Sequence, residues 1–183
     1  IRRQRQMCIR DRIGGLLIIG EKRFKQGDWI NVESVAEGSV EKIDFRSTLI
    51  RRFDQAPVFV PNSVLSDSEI INFSEMPFRR IMFNVGLIYQ TTPETILAIR
   101  KDIESYVAAN DDLANADEAT TTIRVTQFND SSIDMLVYCF TRSTKWHDFC
   151  IARENLILEI MKIVKKNGSD FAYPTSTIHL EKE

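Results

Sequence analysis

Two histidines and three cysteines are the residues of this 183-residue chain best suited to proton or thiol chemistry. His147-Asp148 and Cys150 place a base, a carboxylate and a thiol close together. Residues so close along a helix start rarely face one another as nucleophile and base, which thiol catalysis requires within hydrogen-bond reach. Asp111, Asp112, Asp117 and Glu118 gather four carboxylates in one stretch, without the glycine and the ligand spacing of a calcium loop. Cys8, Cys139 and Cys150 are spaced irregularly, as in neither a disulfide framework nor a zinc site; three such cysteines fit a reducing setting. No glycine-rich phosphate loop is present. Trp146 and Phe140 read as packing residues rather than stacking platforms. The chain is therefore expected to be no enzyme, with no catalytic residue, cofactor or metal.

Composition bounds what must position these residues. A chain that is 43% hydrophobic and 27% charged reads as a soluble globular protein, long enough for one or two domains. No run of 18 apolar residues occurs, so no segment of it is expected to span a bilayer. The charge is uneven: residues 1–53 carry 12 Lys/Arg against 7 Asp/Glu, and residues 54–183 carry 12 against 19. A basic first third fits the cytoplasmic flank of a membrane helix; it fits a solvated mixed surface equally.

From Phe24 to Ser74, short β-prone runs alternate with Gly, Asp and Pro, the pattern of a small, strongly bent barrel or sandwich. Trp29, Ile30 and Val32 follow a Gly27-Asp28 turn. Gly38 marks a second turn, where a positive φ would be needed. Val40, Ile43 and Phe45 come next on a twisting strand. Val58-Phe59-Val60 reads as a buried strand ended by Pro61, which cannot donate to a ladder. Asn62 reads as a turn former, and the last strand is Ile70–Phe73.

Beyond Pro77 the pattern changes. Alternating Ile81, Phe83, Val85, Leu87 and Tyr89 predict a strand. Thr92 and Pro93 start a helix with Ile96, Ile99, Ile103 and Val107 on one face. Asn110 to Thr120 is a polar loop. Two strands, Thr122–Phe128 and Ile133–Thr141, precede a helix from about Asp148 to Lys166, with Phe149, Ala152, Leu156, Ile160 and Ile163 facing the core. A strand over Ser176–Leu180 completes a β-α-β-β-α-β order, the ferredoxin-like pattern. The fold class is mixed α+β.

One ordered set of residues resembles the small-conductance mechanosensitive channel (MscS-type) family. It comprises Phe24, Gly27-Asp28-Trp29-Ile30, Gly38, Val40, Ile43, Phe45-Arg46-Ser47-Thr48, Ile50-Arg51, Pro61-Asn62-Ser63 and Ile71-Asn72-Phe73-Ser74. The resemblance implies an Sm-like β domain over 24–76, a ferredoxin-like domain over 77–170, and a C-terminal strand and tail over 171–183. It also implies that residues 13–23, with Gly14, Gly15, Leu16 and Leu17, are the end of a pore-lining helix, small residues allowing close approach. Lys22-Arg23-Phe24 lacks the proline the family usually carries there. Residues 1–12, with five arginines, depart from the family and are expected to be non-native or disordered; a genuine basic juxtamembrane arm is the rival reading.

By the same resemblance, Gly27, Asp28, Trp29, Gly38, Arg46, Thr48, Pro61, Asn62 and Asn72 are structural motif positions. Arg46, Arg51 and Arg52 are candidates to line a vestibule and bias passing ions; a solvated edge with Asp54 nearby is the alternative for the Arg51-Arg52 pair. The implied function is the cytoplasmic vestibule of a tension-gated channel in the inner membrane, releasing ions and small solutes on osmotic downshock. Its partners would be copies of itself, seven by family resemblance, lipid through upstream helices absent here, and the permeating ions, with no nucleic acid. An RNA-binding module and a soluble oligomeric scaffold are the rival readings.

Overall fold

The computed structural model describes residues 23–174. The expected pore-helix end at Gly14, Gly15, Leu16 and Leu17, the basic segment 1–12 and the last strand Ser176–Leu180 lie outside the described residues. The chain divides into two compact units between Met76 and Pro77.

The first unit contains β1 (Trp29–Val32), β2 (Ala36–Ile43), β3 (Ser47–Arg51), β4 (Pro57–Pro61), a short helix α1 (Asn62–Asp67), β5 (Ile70–Asn72) and a 3-10 turn over Phe73–Glu75. The strands form one sheet in the order β4-β3-β2-β1-β5, with every pairing antiparallel. Alternation sets its faces, since successive side chains point to opposite sides. Ile30, Val32, Val40, Ile50 and Val60 point into a core completed by Phe24 and by Leu65 of α1. Gly27 sits at φ 95°, the left-handed conformation that its turn requires.

Three expectations for this unit are corrected. Gly38 is not in a turn; it lies within β2. A Cβ there would stand 2.2 Å from the Arg51 carbonyl oxygen. The position needs space rather than a positive φ, next to a register shift between Val40 and Lys42 that bends the strand as bulges do. Phe45 is off the strand and 54% exposed, and β4 is not a buried strand: Phe59 is 67% exposed while Val60 is buried. An edge strand with one inward face buries alternate residues only.

The second unit contains β6 (Arg79–Leu87), α2 (Pro93–Ala109), β7 (Thr122–Phe128), β8 (Ile133–Thr141) and α3 (Trp146–Lys166). Its antiparallel sheet runs β6-β8-β7. Ile99, Ile103 and Val107 of α2 and Phe149, Ala152, Leu156, Ile160 and Ile163 of α3 share one core with Ile81, Val85, Ile123, Met135 and Val137. Both helices thus cover the same sheet face. Thr92 caps α2, its Oγ1 accepting the Thr95 amide at 3.3 Å, with Pro93 in the first turn. Gly168 at φ 73° ends α3, and its amide donates to the Lys165 carbonyl, a glycine-type stop. Helix α3 begins at Trp146, two residues before Asp148, and Tyr89 falls beyond β6, exposed. Phe171 bridges Leu87 in an antiparallel sense.

Candidate functional site

The motif positions of the first unit assemble into two polar clasps. In the first, the buried Asp28 uses Oδ2 to accept the Lys25 amide at 3.0 Å and Asn72 Nδ2 at 2.9 Å. A carboxylate taken out of water needs such partners. Asn72 Nδ2 also reaches the Arg23 carbonyl at 3.3 Å, and its Oδ1 accepts the Ser74 amide at 3.0 Å. Beside them the Gly27 amide donates to the Val40 carbonyl and the Val40 amide to the Asp28 carbonyl, both at 2.8 Å. The first turn is therefore stapled to β2 and to the end of β5. Trp29 closes this corner. Its amide donates to Ser74 Oγ, its Nε1 to Glu37, and its ring packs 4.3 Å from Phe73 and 5.5 Å from Phe53.

The second clasp joins Thr48 and Asn62, both fully buried. Thr48 Oγ1 donates to Asn62 Oδ1 at 2.8 Å, and Asn62 Nδ2 donates to the Asp44 carbonyl at 2.8 Å. The Asn62 amide donates to the Arg46 carbonyl. Pro61-Asn62 is thus more than the turn expected from sequence. Pro61 ends β4, and Asn62 opens α1 while its side chain ties the β2–β3 connection to that helix.

The three arginines are not brought to one place. Arg46 lies just before β3, and Arg51 and Arg52 at its far end. Arg51 Nε and Nη2 both reach Glu41 Oε2 at 2.7 Å, and Nη1 donates to the Gln55 carbonyl. The Arg51 hydrogen bond holds the Glu41 carboxyl below its usual range. Arg52 pairs with Asp54 at 3.2 Å, as the solvated-edge reading has it. Arg46 is exposed and its side chain makes no hydrogen bond or ion pair among the described residues.

In the second unit the candidate chemistry disperses. His147 and Cys150 are both exposed, and Asp148 accepts from Ser143 Oγ at 2.7 Å instead of orienting His147. Burial pushes the Cys139 thiol up to about 11. Glu118 pairs with Arg142, which lowers its pKa, and the described residues hold no group of three or more His, Cys, Asp or Glu placed to bind a metal. Sequence reasoning missed two residues. Glu41 meets Arg51 only through the β2–β3 pairing, which no linear spacing announces. Asp134 sits buried at the start of β8 and accepts from Ser132 Oγ at 2.6 Å, Gln127 at 3.2 Å and Asn129 at 3.4 Å.

Comparison with known proteins gives these clasps a context. A family model described as "Mechanosensitive ion channel, beta-domain" matches residues 8–75, and one described as "Mechanosensitive ion channel MscS, C-terminal" matches residues 81–171. The low conductance mechanosensitive channel YnaI of Escherichia coli (strain K12) is 33% identical over 171 residues, 91% of this chain and 48% of its own length. The small-conductance mechanosensitive channel MscMJ of Methanocaldococcus jannaschii is 34% identical over 178 residues, 97% of this chain and 49% of its own. This chain thus spans about half the length of these relatives. The crystal structure of Helicobacter pylori MscS in its closed state superposes with a TM-score of 0.74 at 25% identity, covering 96% of this chain and 66% of that one. A cryo-EM structure of Arabidopsis thaliana MSL1 gives 0.81 at 24% identity, covering 91% and 59%.

Proposed function

This chain belongs to the MscS family of mechanosensitive ion channels, and on that footing we propose that it is the vestibule portion of a channel subunit. The carrying observation is the pair of family domains in this order along one chain, with the β unit's motif side chains engaged in holding backbone together. Tension favours whichever channel state has the larger in-plane area, so gating is a population shift set by that difference. A unit beside the pore must then hold its shape while the pore changes, and the two clasps, one tying the first turn to the end of β5 and one tying the β2–β3 connection to α1, serve that need. Copies of the chain assemble around the permeation path, seven by family resemblance, on the cytoplasmic side of the inner membrane. Lipid contact belongs to helices upstream of this portion. With Arg51 held by Glu41 and Arg52 by Asp54, Arg46 is the one of the three candidate arginines whose charge is left to act on passing ions. Family membership disfavours the RNA-binding and scaffold readings.

The test is a chimera in which this chain replaces the matched portion of YnaI, expressed in cells without other mechanosensitive channels. Tension-gated currents in excised patches and survival of osmotic downshock are the expected outcome. A chimera that reaches the membrane and assembles, yet passes no current at any tension short of rupture, would overturn the proposal.

A further inference from the structure

The end of α3 joins a reactive dipeptide to a clasp that its own reaction would break. Asn167-Gly168 is the one place in the chain where glycine follows asparagine. In such a pair the glycine amide nitrogen is the nucleophile and the asparagine side-chain carbonyl carbon is the electrophile. Glycine has no Cβ, so the attacking nitrogen is unshielded. Every other asparagine of the chain is followed by a residue that carries a side chain. The space around Gly168 is open, since a Cβ there would meet nothing within 4 Å.

The folded geometry keeps both groups engaged. The Gly168 amide donates to the Lys165 carbonyl at 3.1 Å. Asn167 Nδ2 donates to Asp102 Oδ2 of α2 at 3.1 Å and to the Ile163 carbonyl at 2.9 Å. Asp102 also takes Lys166 Nζ at 3.3 Å, while Lys165 is engaged by Asp170 at 2.8 Å. The Asn167 hydrogen bond first, and that of Lys166 second, hold the Asp102 carboxyl below its ordinary range, so it is charged at neutral pH. This clasp ties α2 to the end of α3. It also aims the chain beyond: Ser169 Oγ lies 2.7 Å from Thr91 Oγ1, and the Ala172 amide donates to the Gly86 carbonyl at 3.0 Å.

We propose that Asn167 is a deamidation site gated by fraying of this helix end, and that its conversion releases α3 from α2. Fraying ends open with the smallest free energies in a fold. With the clasp open, the Gly168 nitrogen gives its proton to solvent base and attacks Asn167 Cγ. The new C–N bond closes a five-membered imide, and the side-chain nitrogen leaves as ammonia. Water then opens the ring at one of its two carbonyls, giving aspartate or its β-linked isomer. One water enters, one ammonia departs, and nothing is oxidised or reduced. Aspartate puts a carboxylate where Nδ2 donated, so Asp102 and the Ile163 carbonyl both face an acceptor. A like charge at this distance opposes reclosure, and the lost donor leaves its partners unpaired. The β-linked isomer adds a carbon to the backbone just before Gly168, at the turn its φ of 73° defines. The closed clasp slows the reaction and the product cannot remake it, so the change runs one way.

Two measurements on the whole chain test it. In warm, mildly alkaline buffer, peptide mapping by mass spectrometry should find Asn167 converted before any other asparagine, with both isomers present. Asp102→Ala, which removes one bond of the clasp, should hasten that conversion roughly fivefold. Urea titration reads the release. Asn167→Asp should have a lower midpoint than Asn167→Ala, because it adds repulsion to the lost hydrogen bonds, and adding Asp102→Asn should recover part of the difference. Conversion of another asparagine first, or an unchanged rate in Asp102→Ala, overturns the gated site. Equal midpoints for Asn167→Asp and Asn167→Ala overturn the release.

Discussion

At the scale of single residues, the motif positions act through backbone. Gly38 and Asn62 make the point from opposite directions. Gly38 matters for what it lacks, because any side chain would enter the Arg51 carbonyl. Asn62 matters for what it supplies, since Thr48 Oγ1 and the Asp44 carbonyl both depend on its amide. A buried polar group left without its partner costs about 1–3 kcal/mol, and forced overpacking costs a similar amount. Asn62→Ala and Gly38→Ala should therefore each lower the stability of the β unit by about 1–3 kcal/mol, read as a shift in urea midpoint. Thr48→Val with Asn62→Leu removes both ends of one hydrogen bond and should cost less than the two single changes together. Full additivity would show that Thr48 and Asn62 are not coupled.

At the scale of elements, the β7–β8 hairpin is held at its turn by one carboxylate. The hydrogen bond from Ser132, helped by those from Gln127 and Asn129, outweighs the burial of Asp134 and holds its pKa below the ordinary aspartate value. The sign follows from linkage. A depressed folded pKa stabilises the native state fully above the unfolded value, and this contribution fades as pH falls through the folded one. Asp134→Asn should therefore be less stable than the parent at neutral pH, with a flatter loss of stability below about pH 4. Equal acid slopes in pH-dependent urea titrations would remove Asp134 from this role. The elements themselves were largely legible. Ile99, Ile103 and Val107 on α2 and Phe149 through Ile163 on α3 recur at helical spacing, so periodicity found the core faces. Thr92-Pro93 and Asn167-Gly168 marked helix ends by local chemistry. Gly38, Asn62 and Glu41 were misread or missed because what fixes them comes from elsewhere in the chain: a neighbouring strand's carbonyl, a buried threonine, an arginine across a hairpin. Local pattern cannot carry that information. The exposure of Phe59 escaped for a related reason, since a short apolar run does not say whether its strand lies at a sheet edge.

At the scale of the molecule, the two units are unequal. Among the described residues, seven buried hydrophobic side chains make the core of the first, and eighteen make the core of the second. Small domains bury a smaller share of their surface and are correspondingly marginal, and each large buried side chain contributes about 1.5–3 kcal/mol against chain entropy. The β unit should accordingly unfold first. The chain supplies its own reporters, because its two tryptophans fall one in each unit. Trp29 packs between Phe53 and Phe73, and Trp146 lies against Phe149 with the Arg79 guanidinium 4.6 Å from its ring centroid. Trp146→Phe leaves fluorescence reporting on the first unit alone, and Trp29→Phe leaves it reporting on the second. In urea the Trp29 signal should change at the lower midpoint and with the smaller denaturant dependence, which scales with the surface exposed. Coincident midpoints and slopes in the two variants would mean instead that the chain unfolds as one cooperative body.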